Sequence, residues 1–180
     1  MPRYVALFRG INVGKAKRIA MADLRALLDK LGYADVATLL NSGNAVFTGN
    51  AEPAATHATR IRTAVQTKLG VEACVIVKSA KDVAAIVTGN AIVGHATDHS
   101  KLLVAVTGVA RDMNKVSALP KTDWGREKVH VNKHAAYVWC GNGILESRVT
   151  VALFKELGPA CTTRNWATLL KIQGLMDGGR

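Results

Sequence analysis

The chain has 180 residues, 49% apolar and 21% charged, enough to bury one ordinary core or two small ones and too apolar for a disordered chain. Its 24 Lys and Arg against 13 Asp and Glu leave a net charge of +11. The excess is uneven: Arg3, Arg9, Lys15, Lys17 and Arg18 all precede the first acid, Asp23. That distribution suits a polyanionic partner or a phosphorylated ligand, and it serves solubility equally well.

Residues 3–9 form an apolar, continuous run and read as a central strand. It opens into Arg9-Gly10-Ile11-Asn12-Val13-Gly14-Lys15, a loop of glycine, asparagine and base. From about Ile19 to Leu31 the spacing of Leu24, Leu27, Leu28 and Leu31 predicts a helix, with Gly32 at its end. Asp35 to Leu40 predicts a strand, Asn41-Ser42-Gly43-Asn44 a turn, and Ala45 to Thr48 the returning strand. A second helix is expected from about Ala54 to Leu69, with Ile61, Val65 and Leu69 on one face and His57 on the surface. Glu72 to Lys78 completes a β-α-β-β-α-β order over residues 3–78. This is the ferredoxin-like arrangement, in which the first two strands run the same way. The loop Gly10–Lys15 and the turn Asn41–Asn44 should therefore be neighbours at one end of the sheet.

The second half, residues 79–180, is less regular. Ser79 and Asp82 have the spacing of a capping box ahead of a short helix, and residues 89–100 read as a loop. Leu102 to Thr107 is a strand, Asp112 to Leu119 a short helix, and Glu127 to Val131 with Ala135 to Cys140 a hairpin. Glu146 to Leu157 is helical. Thr162-Thr163 is expected to cap a last helix, with Arg164 in its first turn. The fold class expected is α+β: an N-terminal ferredoxin-like βαββαβ half packed with a smaller C-terminal α+β half.

The first loop is not a P-loop. Three residues, not four, separate Gly10 from Gly14, and Ala16 follows Lys15 where a Mg²⁺-binding hydroxyl is needed. It also lacks the G-x-G-x-x-G spacing of a dinucleotide fold, and no cofactor is expected. What it offers is backbone donors and cations near a helix N-terminus, which suits an anion. A tight strand-to-helix turn with Asn12 bonded to local backbone explains the same residues. The candidate ligand-binding residues are Arg9, Gly10, Asn12, Gly14, Lys15, Asn41, Ser42, Gly43, Asn44, Thr163, Arg164 and Asn165. No nucleophile or general base stands out, so the residues do not decide whether the protein is an enzyme.

No metal site is expected: His95 and His99 fall in loop, and His130 and His134, if on one strand, would be about 13 Å apart. Cys74, Cys140 and Cys161 are far apart and form no C-x-x-C pair, so reduced buried thiols are expected. Tyr137 and Trp139 share one strand face, and core packing is the expectation over base stacking. The first apolar run breaks at Arg9, short of a secretory h-region, and no run nears the roughly 20 apolar residues that span a bilayer. A soluble, cytoplasmic protein with no membrane partner is expected.

Three strings together resemble a known family: Tyr4-Val5-Ala6-Leu7-Phe8-Arg9-Gly10-Ile11-Asn12-Val13-Gly14 with Met21-Ala22-Asp23-Leu24, then Asn41-Ser42-Gly43-Asn44-Ala45-Val46-Phe47, then Thr162-Thr163-Arg164-Asn165-Trp166. They look like the bacterial "domain of unknown function 1697". The resemblance implies an α+β fold with a ferredoxin-like half and no established activity. Three functional readings stay open. The first is an anionic, phosphorylated small ligand held by the glycine- and asparagine-rich loops. The second is a nucleic acid tracked by a basic face, and the third is an interaction module without catalysis.

Overall fold

The computed structural model describes residues 1–14 and 17–178. The chain divides into two units, Met1–Val83 with the C-terminal segment from Ile172, and Ala84–Lys171.

In the first unit β1 (Arg3–Arg9) is followed by α1 (Met21–Lys30), β2 (Ala34–Leu39), β3 (Asn44–Thr48), α2 (Ala54–Leu69) and β4 (Cys74–Ser79). The sheet order is β2-β3-β1-β4, with every neighbouring pair antiparallel. This is the ferredoxin-like order, and it places β1 parallel to β2 with β3 between them. The continuous apolar run of β1 has its cause here: the strand is central, and both of its faces are covered. Tyr4, Ala6 and Phe8 join Ala45, Phe47, Val75 and Val77 in a core with Leu24, Leu28, Ile61 and Val65 of the two helices. Gly70 ends α2 in the left-handed conformation, as its position after Leu69 predicts.

His57 is not on the surface. It is fully buried, one turn before Ile61 on the same stripe of α2. Its ring lies 4.4 Å from that of Tyr4, and Tyr33 and Phe47 complete the box. The Asn50 carbonyl, 3.2 Å from Nε2, can only accept, so Nε2 carries the proton. Nδ1 then accepts from the Tyr33 hydroxyl at 2.9 Å. Both ring nitrogens are satisfied, which is what lets a polar ring replace an apolar one in this core.

The second unit holds β5 (Leu102–Thr107), β6 (Lys128–Val131), β7 (Ala136–Trp139), α4 (Arg148–Leu157) and β8 (Cys161–Asn165), preceded by α3 (Ala80–Thr88), which begins in the first unit. Its sheet order is β6-β7-β5-β8, again antiparallel throughout. The connectivity of the first sheet is thus repeated. Where α1 stands in the first unit, the second has two 3₁₀ segments, Ala110–Val116 and Leu119–Lys121, in place of the expected helix over 112–119. Ser79 and Asp82 form the predicted box at the start of α3: Ser79 N and Oγ donate to the Asp82 carboxylate, and Asp82 N donates to Ser79 Oγ. Tyr137 is fully buried and its hydroxyl donates to the Ile86 carbonyl at 2.6 Å, which places it in the core as expected.

The last helix, α5 (Trp166–Met176), starts later than its sequence predicts. Thr162 and Thr163 do not cap it. They lie in β8, paired with Val106 and Ala105, and Asn165 is the cap, accepting from Thr168 N at 2.8 Å. Among the described residues no helix is long and apolar enough to cross a membrane, and no group of three or more His, Cys, Asp or Glu is placed to hold a metal.

Candidate functional site

Because β1 and β2 end on the same side of the sheet, the loop after β1 and the turn after β2 meet. Asn12 joins them. It takes the left-handed conformation, φ +56°, which asparagine tolerates better than most residues. Its Nδ2 donates to the Asn41 carbonyl at 2.8 Å and to the Ile19 carbonyl at 2.9 Å. Its Oδ1 accepts from Ile19 N at 2.8 Å, and its own N–H donates to the Lys17 carbonyl at 2.9 Å. One side chain therefore closes the loop 12–19 on itself and ties it to the second turn.

The turn is fitted against the loop by Gly43. Its φ is +87°, and a Cβ there would lie 2.6 Å from Ile11 Cδ1 and 2.7 Å from Phe8 Cβ. The Gly43 carbonyl accepts from Phe8 N at 2.9 Å, bonding the turn to the end of β1. Asn44 is fully buried, and its Nδ2 donates to the Leu39 carbonyl at 2.7 Å and to Ser42 Oγ at 3.3 Å. Leu40 is held at φ +58°, a conformation costly for a leucine, and it is half exposed. Buried Ile11 closes the floor beneath.

The candidate residues sort by what they touch. Asn12, Gly43 and Asn44 are occupied in holding the rim's shape. Gly10, Gly14, Asn41 and Ser42 are exposed on it, and Arg9 is half-buried at its base. Lys15 lies outside the described residues. Two cations that sequence reasoning did not nominate belong with this set: exposed Lys17, at φ +55°, and exposed Arg18, whose Nη2 donates to the Gly14 carbonyl at 3.2 Å. Arg25 of α1 reaches Thr38 Oγ1 at the end of β2, 3.2 Å away. The signal for them was the same run without acids that singled out Arg9 and Lys15. No carboxylate occurs in residues 1–22 or 36–51, so neither loop carries its own counter-charge.

Thr163, Arg164 and Asn165 lie in the second unit, in β8. Arg164 pairs with Val104, one pair in from the end of the ladder, and its Nη1 donates to Thr162 Oγ1 at 2.9 Å and to the Thr163 carbonyl at 2.7 Å. Burial lowers its pKa to about 10. Lys78, on β4 opposite Val5, is likewise pushed down by burial, against the pull of Asp82.

The same architecture is found in a solved structure, that of the conserved bacterial protein SP0830 from Streptococcus pneumoniae. It superposes with a TM-score of 0.78 at 23% identity, over 97% of this chain and 98% of that one. No curated protein matches the chain. Residues 1–137 match the model of a family described as protein of unknown function, DUF1697, and this stretch includes both loops of the rim. The chain belongs to the DUF1697 family.

Proposed function

We propose that the chain binds a phosphate-bearing small ligand at the rim formed by the loop after β1 and the turn after β2. The observation that carries this reading is the Asn12 bridge. It joins two exposed backbone turns into one rim whose charged side chains among the described residues, Arg9, Lys17 and Arg18, are cations. A frame of this kind lowers the ordering cost of binding, and cations gathered at one rim favour an anion over a cation or a neutral ligand. Arg9, Lys17 and Arg18 supply charge, Gly10 and Gly14 let the backbone approach, and Ser42 offers a hydroxyl. Among the described residues the rim offers no base–nucleophile pair, and the proposed role is recognition.

A nucleic acid is the second reading. It is favoured by the openness of the rim, where Val13 and Leu40 stand 74% and 50% exposed beside the cations. A long phosphate backbone needs such an open track, whereas a small anion gains most from enclosure. The test is calorimetric titration with inorganic phosphate, nucleotides, sugar phosphates and an oligonucleotide at two salt concentrations. The expected result is saturable binding of a phosphorylated small molecule, weakened about tenfold or more by combining Arg9→Ala, Lys17→Ala and Arg18→Ala. Oligonucleotide binding that falls steeply with salt selects the second reading. Binding of every phosphorylated ligand unchanged in the triple variant would sink both.

A further inference from the structure

Four described residues other than glycine take a positive φ, and three of them, Asn12, Lys17 and Leu40, lie in the two segments that form the rim. Backbone strain of this kind persists only where the surrounding structure enforces it, and it gathers at ligand clamps. Asn12 has a local reason, since asparagine tolerates the left-handed region and its amide makes the bridge. Leu40 has no such reason. Its side chain cannot hydrogen-bond the backbone, and glycine would take φ +58° without the clash of a Cβ. Half of the leucine lies in solvent, so the fold recovers little of the strain by burying it.

A second observation falls on the same place. From Arg3 to Val83, among the described residues, large apolar side chains stand exposed at two positions, Val13 and Leu40. Both flank the bridge: Val13 follows Asn12, and Leu40 precedes Asn41, whose carbonyl accepts from Asn12 Nδ2 at 2.8 Å. Cations stand with them. Arg18 Nη2 donates to the Gly14 carbonyl, one residue beyond Val13, and Lys17 is exposed in the same loop. A single exposed apolar residue is ordinary. Two at one bridge, one of them on strained backbone and both beside cations, fit a ligand with an apolar part next to its negative charge. An inorganic anion or a sugar phosphate is polar all round and would leave both side chains in water.

We propose that Val13 and Leu40 select the ligand of the rim: a small phosphate monoester whose organic part is apolar, an aryl or short alkyl group. The phosphate meets Arg9, Lys17 and Arg18, and the apolar group lies against Val13 and Leu40. This selection rests on the phosphate site proposed above. The test is calorimetric titration of the full chain with inorganic phosphate, glucose phosphate, phenyl phosphate and butyl phosphate. The phenyl or butyl ester is expected to bind about tenfold tighter than glucose phosphate. Val13→Ser with Leu40→Gly should remove that advantage and leave the affinity for inorganic phosphate unchanged. Leu40→Gly alone relieves the backbone, so it should hold or raise the urea midpoint while weakening the apolar esters severalfold; a loss of binding is then not a loss of fold. Binding of inorganic phosphate with no preference among the esters overturns the selection and leaves the phosphate site standing. A preference that survives the double variant overturns it too, as does a lowered urea midpoint in Leu40→Gly, which would assign the leucine to the fold. If none of the four compounds binds, the phosphate site itself fails and the selection fails with it.

Discussion

At Gly43 two constraints fall on one residue. The backbone is in the left-handed region, and the space that a side chain would enter is filled by Ile11 and Phe8. Gly10 has a similar φ, +79°, but nothing within 4 Å of a built Cβ. The pair separates strain from collision. Gly10→Ala is expected to cost about 1 kcal/mol, the conformational part alone. Gly43→Ala should cost about 2–4 kcal/mol, because Ile11 or Phe8 must also shift. Urea unfolding of both variants checks this, and equal losses would remove the collision from the account. The turn at Asn41–Asn44 was legible as a turn from its residue types, but which of its atoms faced a second loop was not. His57 shows the limit from the other side. It continues the stripe of Ile61 and Val65 at helical spacing, but a histidine on such a stripe is read as exposed until Tyr33 and the Asn50 carbonyl are seen to satisfy its ring.

Among the elements, α4 has the most elaborate start. Ser147 is the N-cap, accepting from Thr150 N at 3.1 Å, and its hydroxyl donates to Glu127, which arrives from just before β6. The other Glu127 oxygen accepts from Arg148 N at 2.9 Å. A buried carboxylate at the positive end of a helix is thus hydrogen-bonded on both oxygens. Ser147→Ala is expected to destabilise by about 1–2 kcal/mol. Glu127→Ala should cost more, about 2–3 kcal/mol, since it leaves a buried hydroxyl and an end N–H without an acceptor. Thermal denaturation followed by circular dichroism tests the order, and a Glu127→Ala cost below that of Ser147→Ala would refute it. Sequence periodicity locates α4 to within two residues of its start, because its apolar stripe and following Gly158 are local signals. It cannot show Glu127, twenty residues earlier in the chain. The same locality explains the last helix: Thr162 and Thr163 have capping chemistry, but the β5–β8 ladder claimed them first and left Asn165 to cap.

Across the whole molecule, burial of titratable groups sets the response to alkali. Burial raises the Cys140 thiol above its ordinary value of 9.0, with the Ser147 hydroxyl pulling it down and the Glu127 carboxylate pushing it up. Burial also raises Tyr33 and Tyr137 above 10.0. In each case the folded chain keeps a proton that the unfolded chain gives up, so stability falls as pH rises past the ordinary value. Lys78 and Arg164, lowered by burial, act with the opposite sign, Lys78 below 10.5 and Arg164 above about 10. Cys140→Ala isolates the first contribution: the stability gap between it and the wild type should narrow as pH rises above 9, read by urea unfolding at neutral pH and about one unit above 9. A gap independent of pH would show the thiol's burial to be inconsequential. By itself the sequence determined the elements of the first unit and their ferredoxin-like order, because apolar period, glycine stops and turn residues are written in neighbouring positions. It also determined the excess of cations in the first loop. Only the tertiary structure decided that Asn12 bridges two turns twenty-nine positions apart in sequence, that the second sheet repeats the first, and that Val13 and Leu40 stand exposed beside that bridge. Each of those depends on which distant segments share a neighbourhood, and pairing across the chain leaves no periodic trace in the residues that make it.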